Sequence, residues 1–224
     1  MINLEDQKMV EEHLTFWPKL EETQKNILLN NIAEKNFSKN DNIYSADEEC
    51  LGVLLIKSGV LRVFILSEDG REVTLYRLYP GDTCILSASC ILNSMSFEVH
   101  ISADEDTKVL LINIAAFGKV TKENVYAENF SLRNAMERFS EIMYAIEEVL
   151  FSSIEKRLAN FLLEEADRIG DNKLKITHDQ IAKNIGSARE VVTRMLKVFH
   201  EEGLIEQSRG KIKILNEKGL EKFL

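Results

Sequence analysis

Apolar positions change their period along the chain, and each change marks a different kind of element. In the first 35 residues Leu14, Phe16, Trp17, Leu20, Ile27, Leu28 and Ile32 carry a helical pattern. From Phe37 to Ile114 the apolar runs shorten. "LGVLLIKSG", "VLRVFIL", "EVTLYRL" and "KVLLINI" are rich in β-branched residues and separated by turn signals. "SEDGRE" at 67–72 predicts a tight hairpin, because Asp-Gly tolerates the positive φ of a type I′ turn. Several short, regularly spaced strands predict an antiparallel barrel or jelly roll.

A segment free of glycine and proline follows, from about Lys119 to Ile169. Within it Leu132, Met136, Phe139, Met143, Ile146 and Leu150 are spaced 4-3-4-3-4. That is the a/d pattern of a coiled-coil seam, narrower than the apolar stripe of a globular helix, and it predicts a homodimer. The alternative is a helix packed on its own β-domain, and one helix can do both. Gly170-Asp171-Asn172 ends the segment.

In the tail, Thr177 and Gln180 form a T-x-x-Q capping box that starts a short helix, "HDQIAKNI". Gly186 supplies a tight turn. Ser187 and Glu190 read as a second box, S-x-x-E, opening a helix that runs through Glu202 and is closed by Gly203. Two short helices about a glycine turn are a helix-turn-helix. In the second helix Val191, Val192, Met195, Leu196 and Phe199 can bury one side, which leaves Arg189, Glu190, Thr193, Arg194 and Lys197 on the other. "LIEQSRGKIKIL" then reads as two strands about Arg209-Gly210, a β-wing carrying Lys211.

Charge sharpens this division. The chain carries a formal net charge of -9, which should repel nucleic acid. From Asp171 to Leu224, however, 11 basic residues face 8 acidic ones, a net of +3 that leaves -12 on the remainder. An acidic body with a mildly basic tail permits polyanion binding through the tail alone. Three cysteines, Cys50, Cys84 and Cys90, are too few for a disulfide scaffold and fit a reduced, cytoplasmic setting. The acidic start lacks the pattern of a signal peptide, and no apolar run approaches the ~18 residues of a membrane span.

The pattern "THDQIAKNIGSAREVVTRMLKVFHEEGLI...RGKIKIL" resembles the DNA-binding domain of the CRP/FNR regulators. The likeness extends to "LIKSGVLRVFILSEDGREVTLYRLYPGD" and the intervening helix, so it spans nearly the whole chain. It implies an α+β fold: a β-roll effector domain over 1–118, a dimerisation helix over 119–150 and a winged helix-turn-helix over 151–224. It also implies that Arg189, Glu190 and Arg194 read base edges. Arginine fits guanine O6 and N7 bidentately and a carboxylate can accept from cytosine N4, so the side chains suit the role. Thr177, Ser187, Thr193, Lys197 and Lys211 complete the expected DNA face, with the Thr177 amide offered to phosphate. The alternatives are local: Glu190 as the capping partner of Ser187, and Arg194 as its i,i+4 ion pair.

The resemblance also shows where this chain departs. Leu86 stands where cyclic-AMP members carry a glutamate for the ribose, and Ser96-Phe97 replaces their arginine pair for the phosphate. Burying a phosphodiester without a cation is costly, so a different effector is expected. Residues 1–49 lack the cysteine cluster of the oxygen-sensing branch. Cys84 and Cys90, with His100 ten residues on, could form a thiol switch, bind a soft metal or ligate haem. Equally, both cysteines could be core packing. Neither a specific cofactor nor a standard metal pattern is indicated. Catalysis is not expected, for want of a nucleophile elbow, a phosphate-cradling loop or paired histidines. The expected partners are double-stranded DNA, a second copy of the chain, RNA polymerase and a small-molecule or redox effector, with no membrane. The competing reading is an effector-independent regulator or a protein-interaction module with a vestigial sensor.

Overall fold

The computed structural model describes residues 2–44, 52–68, 70–85 and 99–224. They fall into two units, residues 1–64 with 75–142 and residues 65–74 with 143–224. The first begins with α1 (Leu4–His13), a short 3-10 turn (Trp17–Lys19) and α2 (Glu22–Leu29). The helical expectation for the first 35 residues stops short here, because Ile32 already opens a strand. Among the described residues eight strands follow: β1 (Ile32–Phe37), β2 (Asn42–Tyr44), β3 (Val53–Ser58), β4 (Leu61–Leu66), β5 (Glu72–Leu78), β6 (Thr83–Cys84), β7 (His100–Ala103) and β8 (Thr107–Ile112).

These strands build two four-stranded sheets, ordered β1-β8-β3-β6 and β2-β7-β4-β5, with antiparallel pairing as expected of a β-roll. In β3, Val53, Leu54, Leu55 and Ile56 are all buried. Val53 and Leu55, paired with Ile112 and Leu110, pack against Val10, Leu14, Phe16, Trp17 and Phe117 of the flanking helices. Leu54 and Ile56 point to the other face by the two-residue period of a strand. A strand covered on both sides reads as a continuous apolar run instead of an alternating one.

The hairpin at 67–72 closes differently from the two-residue turn expected. Gly70 N donates to Ser67 O and Ser67 N to Arg71 O, both at 2.9 Å, so the loop is longer than a type I′ connection. Gly70 does take the expected positive φ, 79°. Asp69 lies outside the described residues.

The long segment after β8 is three helices: α3 (Ile114–Glu123), α4 (Val125–Phe151) and α5 (Ile154–Ile169). Polar caps make the breaks. Asn124 Oδ1 accepts from the amides of Tyr126 and Ala127, and Ser153 Oγ from that of Lys156. Helix α4 has two usable faces. Ala127, Ser131, Asn134, Arg138 and Ile142 are buried, whereas the six seam residues Leu132, Met136, Phe139, Met143, Ile146 and Leu150 are 36–67% exposed.

The second unit adds β9 (Lys173–Leu174), α6 (His178–Ile185), α7 (Arg189–Glu201), β10 (Ile205–Ser208), β11 (Lys211–Ile214) and α8 (Glu217–Glu221). The three strands form one sheet, β10-β11-β9. The expected wing hairpin is thus present, with a third strand that is too short to announce itself. Leu158, Leu162, Ile181, Leu196, Phe199 and Ile212 are central to a single core shared by its helices and sheet.

Phe199 is fully buried, with its ring 5.0 Å from that of Phe223. Phe199→Ala is therefore expected to destabilise this unit by about 3–5 kcal/mol. A urea titration followed by circular dichroism reads the loss; a cost below about 1 kcal/mol would contradict this packing.

Candidate nucleic-acid interface

Helix α6 starts where the sequence places it. Gln180 N donates to Thr177 Oγ1 at 3.2 Å and Thr177 N donates to Gln180 Oε1 at 2.9 Å, a complete capping box. This corrects one expectation. The Thr177 amide is already occupied, so it is not an open phosphate donor.

At the other end, Gly186 takes φ 61° and ψ 48°, the left-handed conformation that ends a helix in a tight turn. A Cβ there would also approach Val149 Cγ2 to 3.0 Å. The Ser187 amide closes the turn by donating to Ala182 O at 2.9 Å. Arg157 Nη1 donates to Ile185 O at 2.7 Å, placing a cation on the last carbonyls of α6.

The second predicted box is absent. Helix α7 begins at Arg189 with Ala188 as its N-cap, and no side chain caps it. Ser187 sits one residue too early, because its backbone is spent on the turn. Glu190 is consequently released from the local role that competed with DNA reading. The other alternative fails too: among the described residues Arg194 forms no ion pair with Glu190, and neither Arg189 nor Arg194 is paired to any carboxylate.

Val192, Leu196 and Phe199 are buried, and the remaining sides of α7 follow from its 3.6-residue period. Arg189, Glu190, Thr193, Arg194 and Lys197 are all exposed. Lys197 lies 3.7 Å from Glu201, a loose surface pair of little energetic weight. Thr193 is partly committed: its hydroxyl donates to Arg189 O at 2.9 Å and lies 2.9 Å from His178 Nδ1. The bond to His178 ties α6 to α7. Gln207 Nε2, donating to Leu196 O at 2.8 Å, ties the wing to α7 as well. Lys211 is exposed at the foot of the wing turn.

The effector candidates come together less well. Cys84 is buried on β6. His100 belongs to the other sheet, where its ring stacks on Phe64 at 5.3 Å. Cys90, and the departures at Leu86 and Ser96-Phe97, lie outside the described residues. Among the described residues no cluster of three or more His, Cys, Asp or Glu is placed to hold a metal.

Sequence reasoning did not find the buried polar side chains that α4 presents to the strands of the first unit. Arg138 Nη1 donates to both Glu141 oxygens at 2.9 and 2.8 Å, and Asn134 Nδ2 donates to Thr83 O at 3.2 Å. Burial, reinforced by Cys84, pushes the Tyr76 hydroxyl well above its ordinary range despite the nearby Arg138. The available signal was an apolar seam with polar residues three or four apart on its opposite side.

Two family profiles match the chain: a cyclic nucleotide-binding domain over residues 34–124 and a Crp-like helix-turn-helix domain over residues 156–223. A solved Crp/Fnr-family transcriptional regulator from Eubacterium rectale is 44% identical, with a TM-score of 0.92, covering 95% of this chain and 99% of its own. The transcriptional regulator LdrP of Thermus thermophilus is 25% identical over 84% of this chain and 95% of its own length. The cAMP-activated global transcriptional regulator Vfr of Pseudomonas aeruginosa is 24% identical, over 90% and 97%.

The two capping assignments have opposite consequences. Thr177→Ala is expected to cost about 0.5–2 kcal/mol, the usual range for losing an N-cap. Ser187→Ala, which removes no cap, should stay within about 0.5 kcal/mol. Equal losses in parallel urea titrations would mean that Ser187 also caps its helix.

Proposed function

Because the chain belongs to the CRP/FNR family of transcriptional regulators, we propose that it acts as a homodimer that reads a palindromic operator through α7. One observation carries this reading. The α7 face bearing Arg189, Glu190 and Arg194 is exposed and released from capping and ion pairing, while the opposite face is fixed in the core. The N-terminal part of such a helix is what enters the major groove. Lys197 and Lys211 supply phosphate contacts, and Ser187 and Thr177 border the same face.

The homodimer rests on the six exposed seam residues of α4. An unpartnered stripe containing Leu132, Met136, Phe139 and Leu150, each more than half exposed, is costly in water and is covered by a second copy of the same stripe. Two-fold symmetry then sets half-sites about 10 bp apart, one helical turn. Residues 1–118 act as the sensor, 119–150 as the dimerisation segment and 151–224 as the DNA-binding domain. The protein is a cytoplasmic regulator without catalytic activity, and RNA polymerase is its downstream partner.

The sensed signal is something other than cyclic AMP, on the strength of Leu86 and Ser96-Phe97 in the sequence. A redox or soft-ligand event at Cys84 and Cys90 is our reading of the trigger, with His100 its weakest member, since it lies in the other sheet from Cys84. Any such trigger must favour one conformation over another to act as a switch.

Selection of bound sites from random duplexes, followed by fluorescence-anisotropy titration, tests the reading helix. Arg189→Ala and Arg194→Ala should each cost about 1–3 kcal/mol on the selected site and relax discrimination at one base pair. Lys211→Ala should weaken all sequences alike and reduce the salt slope by about 1. If all three act equally on selected and random DNA, the assignment fails. For the dimer, Phe139→Lys with Met143→Lys places like charges across the seam. Sedimentation of the double variant as a monomer is expected, and a persisting dimer would locate the interface elsewhere.

A further inference from the structure

The seam of α4 runs farther than its apolar residues show. Stepping back from Leu132 by the same alternation of three and four residues reaches Asn129 and then Val125, the first residue of the helix. Both are exposed. By the helical period they share a side with Leu132 and Met136, away from the buried Ala127, Ser131, Asn134 and Arg138. Three residues separate Asn129 from Leu132, so Asn129 occupies an a position of the heptad, as do Met136 and Met143. Glu128 then takes the g position before it, and Arg133 the e position of the following heptad.

These three residues are poorly matched inside the chain. Glu128 and Arg133 are exposed on opposite flanks of the seam, and residues five apart on a helix do not meet. Among the described residues neither forms an ion pair, and Arg133 is not paired even with Glu137, the i,i+4 neighbour able to take it. Asn129 Nδ2 donates to Val125 O at 2.9 Å, which leaves Oδ1 without a donor among the described residues. The helix dipole favours an acid in the first turn and so accounts for Glu128, but for neither Arg133 nor Asn129.

One mode of pairing satisfies all three. In a parallel, in-register pair of helices, a positions face each other, so Asn129 meets Asn129 of the partner subunit and one amide donates to the other. Glu128 meets the partner's Arg133, twice by symmetry. A slip of one heptad sets Asn129 against the partner's Met136, and an antiparallel pair sets it against a d residue; either buries its amide without a partner. We infer that Glu128, Asn129 and Arg133 are the recognition code by which α4 selects a second copy of this chain, parallel and in register, over other apolar helices. This rests on the homodimer reading above. A single Asn at an a position fixes register and oligomeric state at a cost in stability, and charges at e and g set partner choice. In-register parallel pairing is also the two-fold arrangement that a palindromic operator requires.

The test exchanges charges in the full-length protein. Glu128→Arg alone, or Arg133→Glu alone, sets like charges opposite each other twice per dimer. Each should raise the dimer dissociation constant about tenfold at low salt, read by sedimentation equilibrium. Mixed together, the two single variants regain both attractive pairs. With one of them tagged, the mixed dimer should exceed its statistical share, and added salt should shrink the excess. Combining Glu128→Arg with Arg133→Glu in one chain should return self-association to the wild-type level, which separates lost pairing from lost folding. Asn129→Leu should associate more tightly and form assemblies larger than a dimer. Statistical mixing of the single variants overturns the inference, as does an Asn129→Leu protein that remains a dimer of unchanged affinity. In either case, dissociation by Phe139→Lys with Met143→Lys would show the homodimer standing without this code. A wild-type protein that sediments as a monomer ends both.

Discussion

The rotation of one helix about its axis governs what this protein can present to a partner. Val192, Leu196 and Phe199 of α7 enter the core that α5, α6 and the wing sheet share. With 100° between successive residues, burying those three leaves no choice about 189, 190, 193, 194 and 197, which must face outward. The side chains that could read DNA are thus aimed by residues that never touch it. Backbone and side-chain ties then hold that rotation from three directions. Gly186 sets the turn into the helix, the His178–Thr193 bond fixes it to α6, and the Gln207–Leu196 bond fixes it to the wing.

Helix α4 illustrates the same logic with a different outcome. Its buried side is unusually polar, with Ser131, Asn134 and Arg138 all nearly inaccessible. Its exposed side carries the apolar seam. A soluble helix normally has the reverse arrangement. Polar groups are buried at least cost where partners meet them; here Glu141, Thr83 O and the Ala127 carbonyl do so in part, while Asn134 Oδ1 and Arg138 Nε stay without a hydrogen-bond partner among the described residues. Apolar groups remain exposed only where something else covers them. The inversion is therefore itself a reason to place a second copy of the chain on the seam. It also puts the polar side of the same helix against Tyr76 and Thr83 of the β-domain.

What the sequence made legible follows from burial. β3, β4 and β8 were plain because their residues are covered and therefore apolar. β1 was missed because "IAEKNF" is largely exposed and pairs along only one edge, with β8, so no alternation marks it. β9 has two residues, below the length at which any period exists. The breaks at Asn124 and Ser153 were missed since a single polar cap inside an apolar pattern is a weak signal beside glycine or proline. At the candidate site the exposed face of α7 was readable from periodicity alone. Its start was not: S-x-x-E fits a capping box by composition, but the turn at Gly186 consumes Ser187 and shifts the helix by one residue. That is the scale on which local chemistry competes with the geometry of the preceding turn.

The remaining tension is that a chain of net charge -9 should bind a polyanion at all. Net charge is the wrong quantity at this range. At physiological ionic strength exposed charges farther apart than about 8 Å are largely screened from each other. A phosphate therefore responds to its immediate neighbours, and around α7 and the wing these include Arg189, Arg194, Lys197 and Lys211, all exposed. Acidic groups farther away than that act chiefly at lower salt, where they oppose loose, unoriented attachment. Correctly oriented contact through the tail escapes most of that penalty. The acidic body thus subtracts more from non-specific binding than from specific binding, and the ratio between the two matters more for finding one operator among many competing sites than affinity alone.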